Sequence, residues 1–326
     1  MPFLTIAVPT YNRFRWISLT LPAILEQVRG FPDGQIEVLV SDNCSNDETW
    51  AYLQEAVKAA PFLRLNRNPT NIGSEANFYL LPKLARGRYL HMIGDDDLLN
   101  PGALKRIMEE LRDEPDYLVL NFDVYDIQLK NCLNPNKLKV SDDEVMGTQE
   151  ACLNRIDAMG MSFLSMWVGR REFFNVISEE KYHYFSQWGM SIQADRYFGI
   201  GCFPKGKLIA APCLRARQNS DFDEQKFFSW FLHGSAVVLS EAVAGGVLPK
   251  DAAQAQKKSL LWGPGMQRIR YQRRKGIFAR SETFKLLRAD FGSIPSFWIG
   301  CVPIMFMPGF GTLLNWVRGI LGRSDP

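Results

Sequence analysis

The sequence predicts an α/β fold in which a mainly parallel sheet is covered by helices on both faces. In residues 1–120, short apolar runs of strand length alternate with segments of helical periodicity, and the connections between them are short. An apolar run without polar alternation is typical of a strand that is buried on both faces. Such runs alternating with helices therefore indicate a parallel sheet between two helical layers.

Each element of this region has a local reason. The apolar run 3–8 ends at Pro9, and the periodic segment 15–28 ends at Gly30. Asn46 or Asp47 can cap a helix that reaches about residue 60. The other predicted strands are 36–40, 63–65, 89–93 and 117–120, and the other predicted helices are 75–84 and 101–111.

From residue 121 the alternation weakens. Residues 131–144 are rich in Asn, Pro and Asp, which predicts a loop. Further elements are predicted as a strand at 161–168, a helix at 170–177, a strand at 208–211 and a helix at 227–243. The chain is therefore expected to comprise two halves of one α/β domain, residues 1–120 and 121–245, and a C-terminal extension, residues 246–326.

The extension combines a basic stretch with an uncharged one. Residues 250–288 contain eleven Lys and Arg but only two acids, although the whole chain has a net charge of +3. Such a stretch predicts an anionic partner. Residues 291–317 carry no charge, but three prolines would interrupt a single membrane span. We expect this segment to lie at a membrane surface with Trp298, Phe306 and Trp316 at headgroup level; a packed helix pair is the alternative.

Cysteine usage and the first residues predict a cytoplasmic protein. The six cysteines form no Cys-x-x-Cys pair and are accompanied by three histidines. We therefore expect neither a disulfide framework nor a zinc site. Met1, Pro2 and Phe3 lead directly into the first apolar run without a basic segment, so we expect no secretory signal peptide.

Four polar clusters stand where predicted strands end, at 9–13, 42–47, 68–77 and 94–99. In a parallel sheet these carboxyl ends share one edge, and ligands bind beyond it. The four clusters are therefore expected to form one site.

The cluster after the fourth strand contains three adjacent carboxylates, Asp95, Asp96 and Asp97. Adjacent carboxylates repel each other, so a cation or several hydrogen-bond donors must compensate their charge. A hard divalent ion does so, and it commonly shares its ligand shell with substrate phosphates. The alternative is an acidic turn that interacts favourably with the dipole of the following helix.

The other clusters each allow two interpretations. Arg13 and free amides at the start of the first helix suit a phosphate, but they equally suit a solvated helix start. The polar side chains from Asp42 to Asp47 can contact a base and ribose, or they can form Asx turns and a helix cap. Asp42 stands at the strand end itself, which favours a ligand contact.

Together the clusters resemble the ordered motifs of family 2 glycosyltransferases with the GT-A fold. The motifs are Val-Pro-Thr-Tyr-Asn-Arg (8–13), Ser-Asp-Asn-Cys-Ser-Asn-Asp (41–47), Asn-Ile-Gly-x-x-x-Asn (71–77) and Gly-Arg-Tyr-Leu-x-x-x-Gly-Asp-Asp-Asp (87–97). The Asp-Asn-Cys-Ser and Gly-Asp-Asp-Asp forms are most similar to bacterial O-antigen enzymes of the abequosyltransferase type. The resemblance is strong over the N-terminal third and weak over the middle of the chain.

The resemblance implies a donor site and a metal site. For a nucleotide-sugar donor it implies Pro9, Thr10, Tyr11, Arg13, Asp42, Asn43, Asn71, Gly73, Asn77, Asp95 and Asp96. For a divalent metal, Mn²⁺ or Mg²⁺, it implies Asp95, Asp96 and Asp97. Gly94 stands where such enzymes commonly have their first aspartate. Asp96 therefore matches the metal-side aspartate, and the alternative register uses Asp95 and Asp97.

The resemblance also implies a catalytic base at Asp195, eleven residues before Gly206 and the apolar run that follows. Similar enzymes carry this base in a Glu-Asp pair, whereas Ala194 precedes Asp195 here. A surface aspartate paired with Arg196 is the alternative. Asp157, Glu179 and His183 are reserve candidates, and Arg215 or Arg217 can face a phosphate or solvent.

The implied activity is an inverting, metal-dependent sugar transfer in bacterial surface polysaccharide synthesis. The expected acceptor is a lipid-linked saccharide at the inner face of the cell membrane, and no nucleic-acid partner is expected. A nucleotidyltransferase would usually have a Gly-rich phosphate loop after the first strand, which residues 9–13 do not form. Gly94 and Ala194 stand where similar enzymes usually have acidic residues. The alternative interpretation is therefore a catalytically silent protein that has the same fold and binds sugar nucleotides or glycans.

Overall fold

The sheet contains ten strands in the residues that the structure describes. The computed structural model describes residues 1–218 and 227–307, with all side chains except those of 157–159. The strands are β1 (Leu4–Thr10), β2 (Ile36–Asp42), β3 (Leu63–Arg67), β4 (Tyr89–Met92), β5 (Leu98–Leu99), β6 (Tyr117–Tyr125), β7 (Cys132–Asn134), β8 (Glu144–Met146), β9 (Trp167–Arg170) and β10 (Gly206–Arg217).

The sheet is mixed but mainly parallel. Its strand order is β3-β2-β1-β4-β9-β6-β10-β5, with β7 beside β6 and β8 beside β10. The long strands pair in parallel: β1 with β2 and β4, β2 with β3, and β6 with β10. The short strands β5, β7, β8 and β9 pair antiparallel to their neighbours. Every residue of β1 and β2 is buried, as expected for strands covered on both faces. This architecture confirms the predicted fold class.

Seven α-helices accompany the strands in residues 1–218. They are α1 (Phe14–Val28), α2 (Thr49–Ala56), α3 (Ser74–Leu84), α4 (Ala103–Glu110), α5 (Gln149–Gly160), α6 (Glu179–Ser186) and α7 (Ser191–Cys202). The strands and helices predicted for residues 1–120 are all present, with ends that differ by a few residues. Pro22 lies inside α1 without ending it.

The predictions for residues 131–177 are partly wrong. The predicted strand 161–168 begins only at Trp167, after a 3-10 turn at Leu164–Met166. The predicted helix 170–177 is a single 3-10 turn, Arg171–Phe174, and the predicted loop 131–144 contains β7. The segments 161–168 and 170–177 owe their apolar composition to burial in the core, since Trp167, Phe173 and Phe174 are fully buried. Burial alone does not determine which hydrogen-bond pattern the backbone adopts.

A bulge in β10 carries the end of this strand to the carboxyl edge of the sheet. The pairing of β10 with β6 shifts register between Ile209 and Leu214, around Pro212. Side chains satisfy the displaced carbonyl groups: Asn121 Nδ2 donates to the Ala210 carbonyl at 2.7 Å, and Asn100 Nδ2 donates to the Pro212 carbonyl at 2.8 Å. The strand is therefore longer than the predicted 208–211 and ends at Arg217.

By packing, the chain divides into two compact units, residues 1–222 and 223–326. The described part of the second unit is helical, with α8 (Gly234–Ala244), α9 (Lys250–Leu260), α10 (Met266–Lys275), α11 (Arg280–Phe291) and α12 (Val302–Phe306). π-Helical segments precede three of them, at Phe227–His233, Leu261–Gly265 and Phe297–Cys301. The predicted division at residues 120 and 245 concerns function and stays a prediction.

The second unit exposes apolar residues near its described end. Among the described residues, the segment Phe227–Ala244 is long and apolar enough to cross a membrane by length and composition, and half of it is buried. Between residues 298 and 307, the exposed large apolar side chains are Trp298, Ile299, Phe306 and Met307. Residues 308–317 of the predicted surface segment, with Trp316, lie outside the described residues.

Candidate active site

The carboxyl ends of β1, β2, β3 and β4 meet at one edge of the sheet, as predicted. Side chains join the loops that follow these strands. Thr10 Oγ1 donates to Asp95 Oδ2 at 2.7 Å, and Asn43 Nδ2 donates to Asn71 Oδ1 at 2.8 Å. The backbone N–H of Asn12 donates to Ser45 Oγ at 2.8 Å. Residues 10–13, 42–47, 68–73 and 94–97 thus form one region, called the polar edge below.

The start of α1 does not present the free amides that the sequence suggested. The backbone N–H groups of Arg13 and Phe14 donate to Thr49 Oγ1 at 3.1 Å and to Asp47 Oδ2 at 3.3 Å. Asn12 adopts a left-handed backbone, φ 53°, and its Oδ1 accepts the N–H of Asn46 at 2.8 Å. The neighbouring loop therefore occupies the N–H groups of Arg13 and Phe14, and these two are not available to an anion.

Asp95, Asp96 and Asp97, called the acidic turn below, are each held by different donors. Asp95 accepts the Thr10 hydroxyl, and Asp97 accepts the Ser165 hydroxyl and the backbone N–H of Arg217 at 3.2 Å. Asp96 Oδ2 accepts Arg217 Nε at 2.9 Å and Nη2 at 2.5 Å, and lies 3.3 Å from Arg13 Nη1. The acidic turn therefore carries its own partial charge compensation.

Burial distinguishes the three carboxylates. Burial, together with the negative charge of Asp96, raises the pKa of Asp95 and of Asp97 to about 7. Asp96 remains the most accessible of the three. Arg217 is nearly buried, with 5% of its side chain exposed, and its guanidinium lies 4.6 Å from the ring centre of Trp16. Asp96 is consequently the carboxylate best placed to meet a ligand.

The acidic turn fits a divalent ion bound through Asp96. A Cβ atom at Gly94 would come within 3.2 Å of Asp96 Oδ1 and 3.0 Å of Asp97 Oδ2, so the glycine keeps the space beside these oxygens open. In the described part of the chain, no three His, Cys, Asp or Glu residues converge on one point. Such ions are commonly held by one or two carboxylates together with substrate phosphates, so three converging protein ligands are not required.

The predicted donor residues fall into an exposed and a buried group. Tyr11, Asn71 and Gly73 are exposed, and Arg13 and Asp96 are partly exposed. The others are buried: Pro9, Thr10, Asp42, Asn43, Asn77 and Asp95. The exposed group can touch a ligand without rearrangement, whereas the buried group supports the loops.

The buried amides of the polar edge form one hydrogen-bond network. Asn43 Nδ2 also donates to the Gly73 carbonyl at 3.2 Å, and Asn43 Oδ1 accepts from Asn68 Nδ2 at 2.9 Å. Asn77 Oδ1 accepts from Ser41 Oγ at 2.7 Å. Asp42, which is fully buried, accepts the backbone N–H and the hydroxyl of Ser45 and lies 3.4 Å from Arg67 Nε. This network shapes the surface offered by Tyr11, Asn71 and Gly73.

Asp195 lies on α7. It is 5% exposed, and its Oδ1 has no hydrogen-bond partner among the described residues. No hydrogen bond or ion pair joins it to the acidic turn within those residues. The charge of Glu75, on the first turn of α3, acts on Asp195. Since α3 begins at Ser74, directly after Gly73 of the polar edge, this helix connects the polar edge to Asp195.

The remaining candidates separate clearly. Arg215 Nε donates to Asn100 Oδ1 at 2.8 Å and its guanidinium lies over Tyr125, so Arg217 is the arginine that reaches the acidic turn. Glu179 and His183 are exposed on α6. The side chain of Asp157 lies outside the described residues. Sequence reasoning missed Ser165 and Glu75, because neither belongs to a recognisable local motif.

Comparison with known proteins defines the class of this fold. The structure of Staphylococcus aureus TarS 1–349 with UDP superposes with a TM-score of 0.63 at 18% identity, covering 98% of this chain and 87% of that one. The mannosyltransferase PcManGT from Pyrobaculum calidifontis with GDP-Man and Mn²⁺ gives a TM-score of 0.55 at 14% identity, covering 99% and 88%. The architecture is the GT-A fold.

Residues 5–177 match the model of glycosyl transferase family 2, and the chain belongs to this family. Chondroitin synthase of Escherichia coli is 30% identical over 113 residues, which are 34% of this chain and 16% of that protein. A GalNAc(5)-diNAcBac-PP-undecaprenol beta-1,3-glucosyltransferase of Campylobacter jejuni is 32% identical over 112 residues, 34% of this chain and 35% of that protein. The matched segment therefore spans about a third or less of these relatives.

Proposed function

We propose that this protein is an inverting glycosyltransferase that moves a sugar from a nucleoside-diphosphate donor to a hydroxyl of a saccharide acceptor. The observation that carries the proposal is the acidic turn, with Asp96 beside Arg13 and Arg217 and with open space kept by Gly94. A diphosphate needs several cationic partners in one place, and this site groups them. Membership of family 2 supports the same activity.

Donor binding uses the exposed part of the polar edge. We assign Tyr11 and Asn71 to the base and ribose and Arg13 to the diphosphate, because these side chains are exposed or partly exposed at the polar edge. The buried amides behind them hold these loops in position. Similar proteins solved with UDP, UDP-GlcNAc or GDP-Man support a nucleotide-sugar as the ligand.

A divalent ion, Mn²⁺ or Mg²⁺, held by Asp96 would neutralise charge on the departing nucleoside diphosphate. Asp95 and Asp97 keep the turn in place through Thr10, Ser165 and the backbone of Arg217. Arg13 and the Arg217 guanidinium orient the diphosphate by charge-assisted hydrogen bonds.

The proposed reaction is a single in-line displacement. The acceptor oxygen forms a bond to C1 of the donor sugar while the bond from C1 to the phosphate oxygen breaks. The nucleoside diphosphate leaves with that electron pair, and the hydroxyl proton passes to Asp195. One displacement inverts the configuration at C1, and a positioned base contributes roughly 10²–10⁴-fold to such a rate.

We assign the acceptor to a lipid-linked saccharide of bacterial surface polysaccharide, reached from the cytoplasm at the inner face of the membrane. The basic stretch of α10 and α11 and the exposed apolar side chains Trp298, Ile299, Phe306 and Met307 support this peripheral location. The name of the Campylobacter relative, which includes a polyprenol-linked acceptor, is consistent with it.

Vesicle co-sedimentation of the full chain tests the membrane part. The double variant Arg274→Glu/Lys275→Glu should bind phosphatidylglycerol vesicles at least about tenfold more weakly, since each basic residue near an anionic surface contributes about 1 kcal/mol. The matched control, Lys105→Glu/Arg112→Glu, makes the same charge change on exposed residues of the first unit. Equal losses in both variants would refute a specific role for α10.

A second candidate is a catalytically silent protein that binds sugar nucleotides on the same fold. The observation that favours it is Asp195, whose buried carboxyl has a pKa well above the usual range. A carboxyl that remains protonated could not remove a proton from an acceptor.

Donor hydrolysis is the experiment that tests the proposed function. The purified full chain is incubated with UDP-, GDP-, dTDP- and CDP-sugars, with Mn²⁺ or Mg²⁺ and with EDTA. We expect metal-dependent release of one nucleoside diphosphate, lost in Asp96→Ala. Calorimetric binding of a nucleotide without any turnover, even with saccharide acceptors added, would favour the second candidate.

A further inference from the structure

Glu75 and Asp195, called the acidic pair below, are brought together with one arginine by the packing of α3 against α7. Ser191, at the start of α7, donates its hydroxyl to Glu75 Oε2. Asp195 and Arg196 follow on the next turn of the same helix. Two carboxylates, one hydroxyl and one guanidinium therefore occupy a single interior region.

The arginine is enclosed as tightly as the acids. Arg196 is fully buried, and its Nη1 donates to the carbonyl of Ile192. Its Nε and Nη2 have no hydrogen-bond partner among the described residues, and the guanidinium lies 6.0 Å and 5.7 Å from the rings of Trp167 and Phe174. Its charge is therefore balanced through space by Glu75 and Asp195.

Two ionised carboxylates against one guanidinium would leave a net negative charge in this interior. Glu75 as a whole residue keeps some exposure, but its carboxyl end is turned inward to Ser191 and is desolvated. Burial raises the pKa of Glu75 and raises the pKa of Asp195 further. The charge of Arg196 lowers both pKa values, whereas the charge of Glu75 raises the pKa of Asp195. Binding one proton removes the excess charge.

Among the described residues, Arg196 is the cation whose charge acts on both Glu75 and Asp195. α3 also presents Tyr79 and α6 presents Tyr182, and both phenols have a raised pKa, mainly through burial, so they stay neutral. Lys83 lies over the ring of Tyr79 and Lys181 over that of Phe198, while Glu179 adds negative charge near Tyr79. The 3-10 turn before α6 packs Phe173 against Gly199 of α7. Arg196 is thus the counter-ion in direct reach.

We propose that Glu75 and Asp195 bind one proton between them at neutral pH, with Arg196 as their shared counter-ion. Glu75 is thereby a positioning residue that sets the pH at which Asp195 becomes a free base. The catalytic part of this inference rests on the proposed role of Asp195 in sugar transfer. The shared proton itself does not depend on catalysis.

A coupled pair loses its protons in two steps, and the second step lies above the pKa of an isolated aspartate. Sugar transfer should then rise with pH near neutrality. Replacing Glu75 by an uncharged residue leaves Asp195 with Arg196 alone, so the rise should move to lower pH.

Unfolding as a function of pH tests the shared proton without a donor. The folded protein binds a proton that the unfolded chain releases, so this pair stabilises at low pH and loses that contribution as the pH rises through the folded pKa values. Relative to Glu75→Gln, wild type should lose stability as the pH rises from about 4, the ordinary pKa of these carboxyls, through their raised pKa values in the folded protein, and the profile of Glu75→Gln should be flatter. Glu180→Gln, an exposed carboxylate on α6, is the matched control and should follow wild type. A Glu75→Gln profile parallel to wild type would overturn the proposal.

The pH dependence of transfer, or of donor hydrolysis, tests the effect on Asp195. In Glu75→Gln the rise of the rate should occur at a pH lower by at least about one unit, whereas in Glu75→Asp it should occur near the wild-type pH. Ser191→Ala removes a hydrogen-bond donor to ionised Glu75, so the rise of the rate should occur at higher pH. This variant keeps the test valid if Glu75→Gln folds poorly, and an unmoved profile in it would contradict the proposal.

The two failures are distinguishable. If Glu75→Gln flattens the unfolding profile but Asp195→Asn transfers sugar at the wild-type rate, the shared proton stands and the base assignment falls. If Asp195→Asn is inactive but the pH profiles of Glu75→Gln match wild type, the proposed function stands and the role of Glu75 falls.

Discussion

The acidic turn and the acidic pair set the same kind of side chain in contrasting surroundings. In the acidic turn, Asp95 accepts the Thr10 hydroxyl, and Asp97 accepts the Ser165 hydroxyl and the backbone N–H of Arg217. Asp96 pairs with two guanidinium groups. In the acidic pair, Glu75 and Asp195 share one buried guanidinium and receive the Ser191 hydroxyl at Glu75. On average, a carboxylate of the acidic turn thus has more hydrogen-bond or ion-pair donors than a carboxylate of the acidic pair.

This difference shows that the task of a carboxylate follows from its donors and its access to water. Two arginines face Asp96 and its side chain reaches solvent, so it suits a cation and a diphosphate. Among the described residues no donor reaches Asp195 Oδ1, and the residue is nearly excluded from water, so it suits the transfer of a proton.

Replacing Asp195 should give the largest effect and divide the two sites by function. Asp195→Asn should lower the rate of sugar transfer by roughly 10²–10⁴-fold, because the amide cannot take the proton of the acceptor hydroxyl. Nucleotide affinity, measured by calorimetry with metal present, should stay within about twofold, since no hydrogen bond or ion pair joins Asp195 to the polar edge within the described residues.

Asp96→Asn provides the contrast within the same fold. It should weaken metal-dependent nucleotide binding as well as turnover, because it changes the carboxylate that meets the ion. If Asp195→Asn weakened nucleotide binding as strongly as it slowed transfer, the separation of the two sites by function would be refuted.

Removing Arg217 should destabilise the acidic turn. The side chain is 5% exposed, so Arg217→Met leaves Asp96 with Arg13 alone, and unfolding should become easier by about 2–3 kcal/mol. Denaturant unfolding at pH 7 measures this. Arg13→Met is the control: 41% of the Arg13 side chain is exposed, so its loss should cost less than about 1 kcal/mol. Equal costs would show that burial does not govern these ion pairs.

The acidic turn was predictable from sequence because its pattern is local. An apolar strand followed by three aspartates and a helix start is contained in about a dozen residues, and the same holds for the ends of β1 and β2. Parallel pairing then places these ends at one edge, whatever the details of the loops. The fold class and the convergence of the four clusters therefore followed from the first 120 residues.

The acidic pair was not predictable in this way. Ser191 and Glu75 are 116 positions apart, and their contact exists only because α3 packs against α7. Sequence reasoning reached Asp195 through the resemblance, but no pattern predicted α7, its burial or the neighbouring Glu75. The buried roles of Asp42 and Asn43 were hidden for the same reason, since a polar side chain at a strand end can face a ligand or satisfy a neighbouring loop.

The smallest expected effect measures whether Asp95 is ionised, which is the property that separates the acidic turn from the acidic pair. Thr10 donates to the Asp95 carboxylate, and Thr20 Oγ1 donates to the Asp95 backbone carbonyl at 2.8 Å. Thr10→Val and Thr20→Val therefore each remove one hydroxyl that donates to Asp95. Because hydrogen bonds to charged groups are stronger, at pH 8 Thr10→Val should cost about 2 kcal/mol in unfolding free energy and Thr20→Val about 1 kcal/mol. The pKa of Asp95 is about 7, so the two costs should converge at pH 5.5, where the carboxyl is protonated. Equal costs at pH 8 would mean that Asp95 is neutral there and that the turn holds a proton as the pair does.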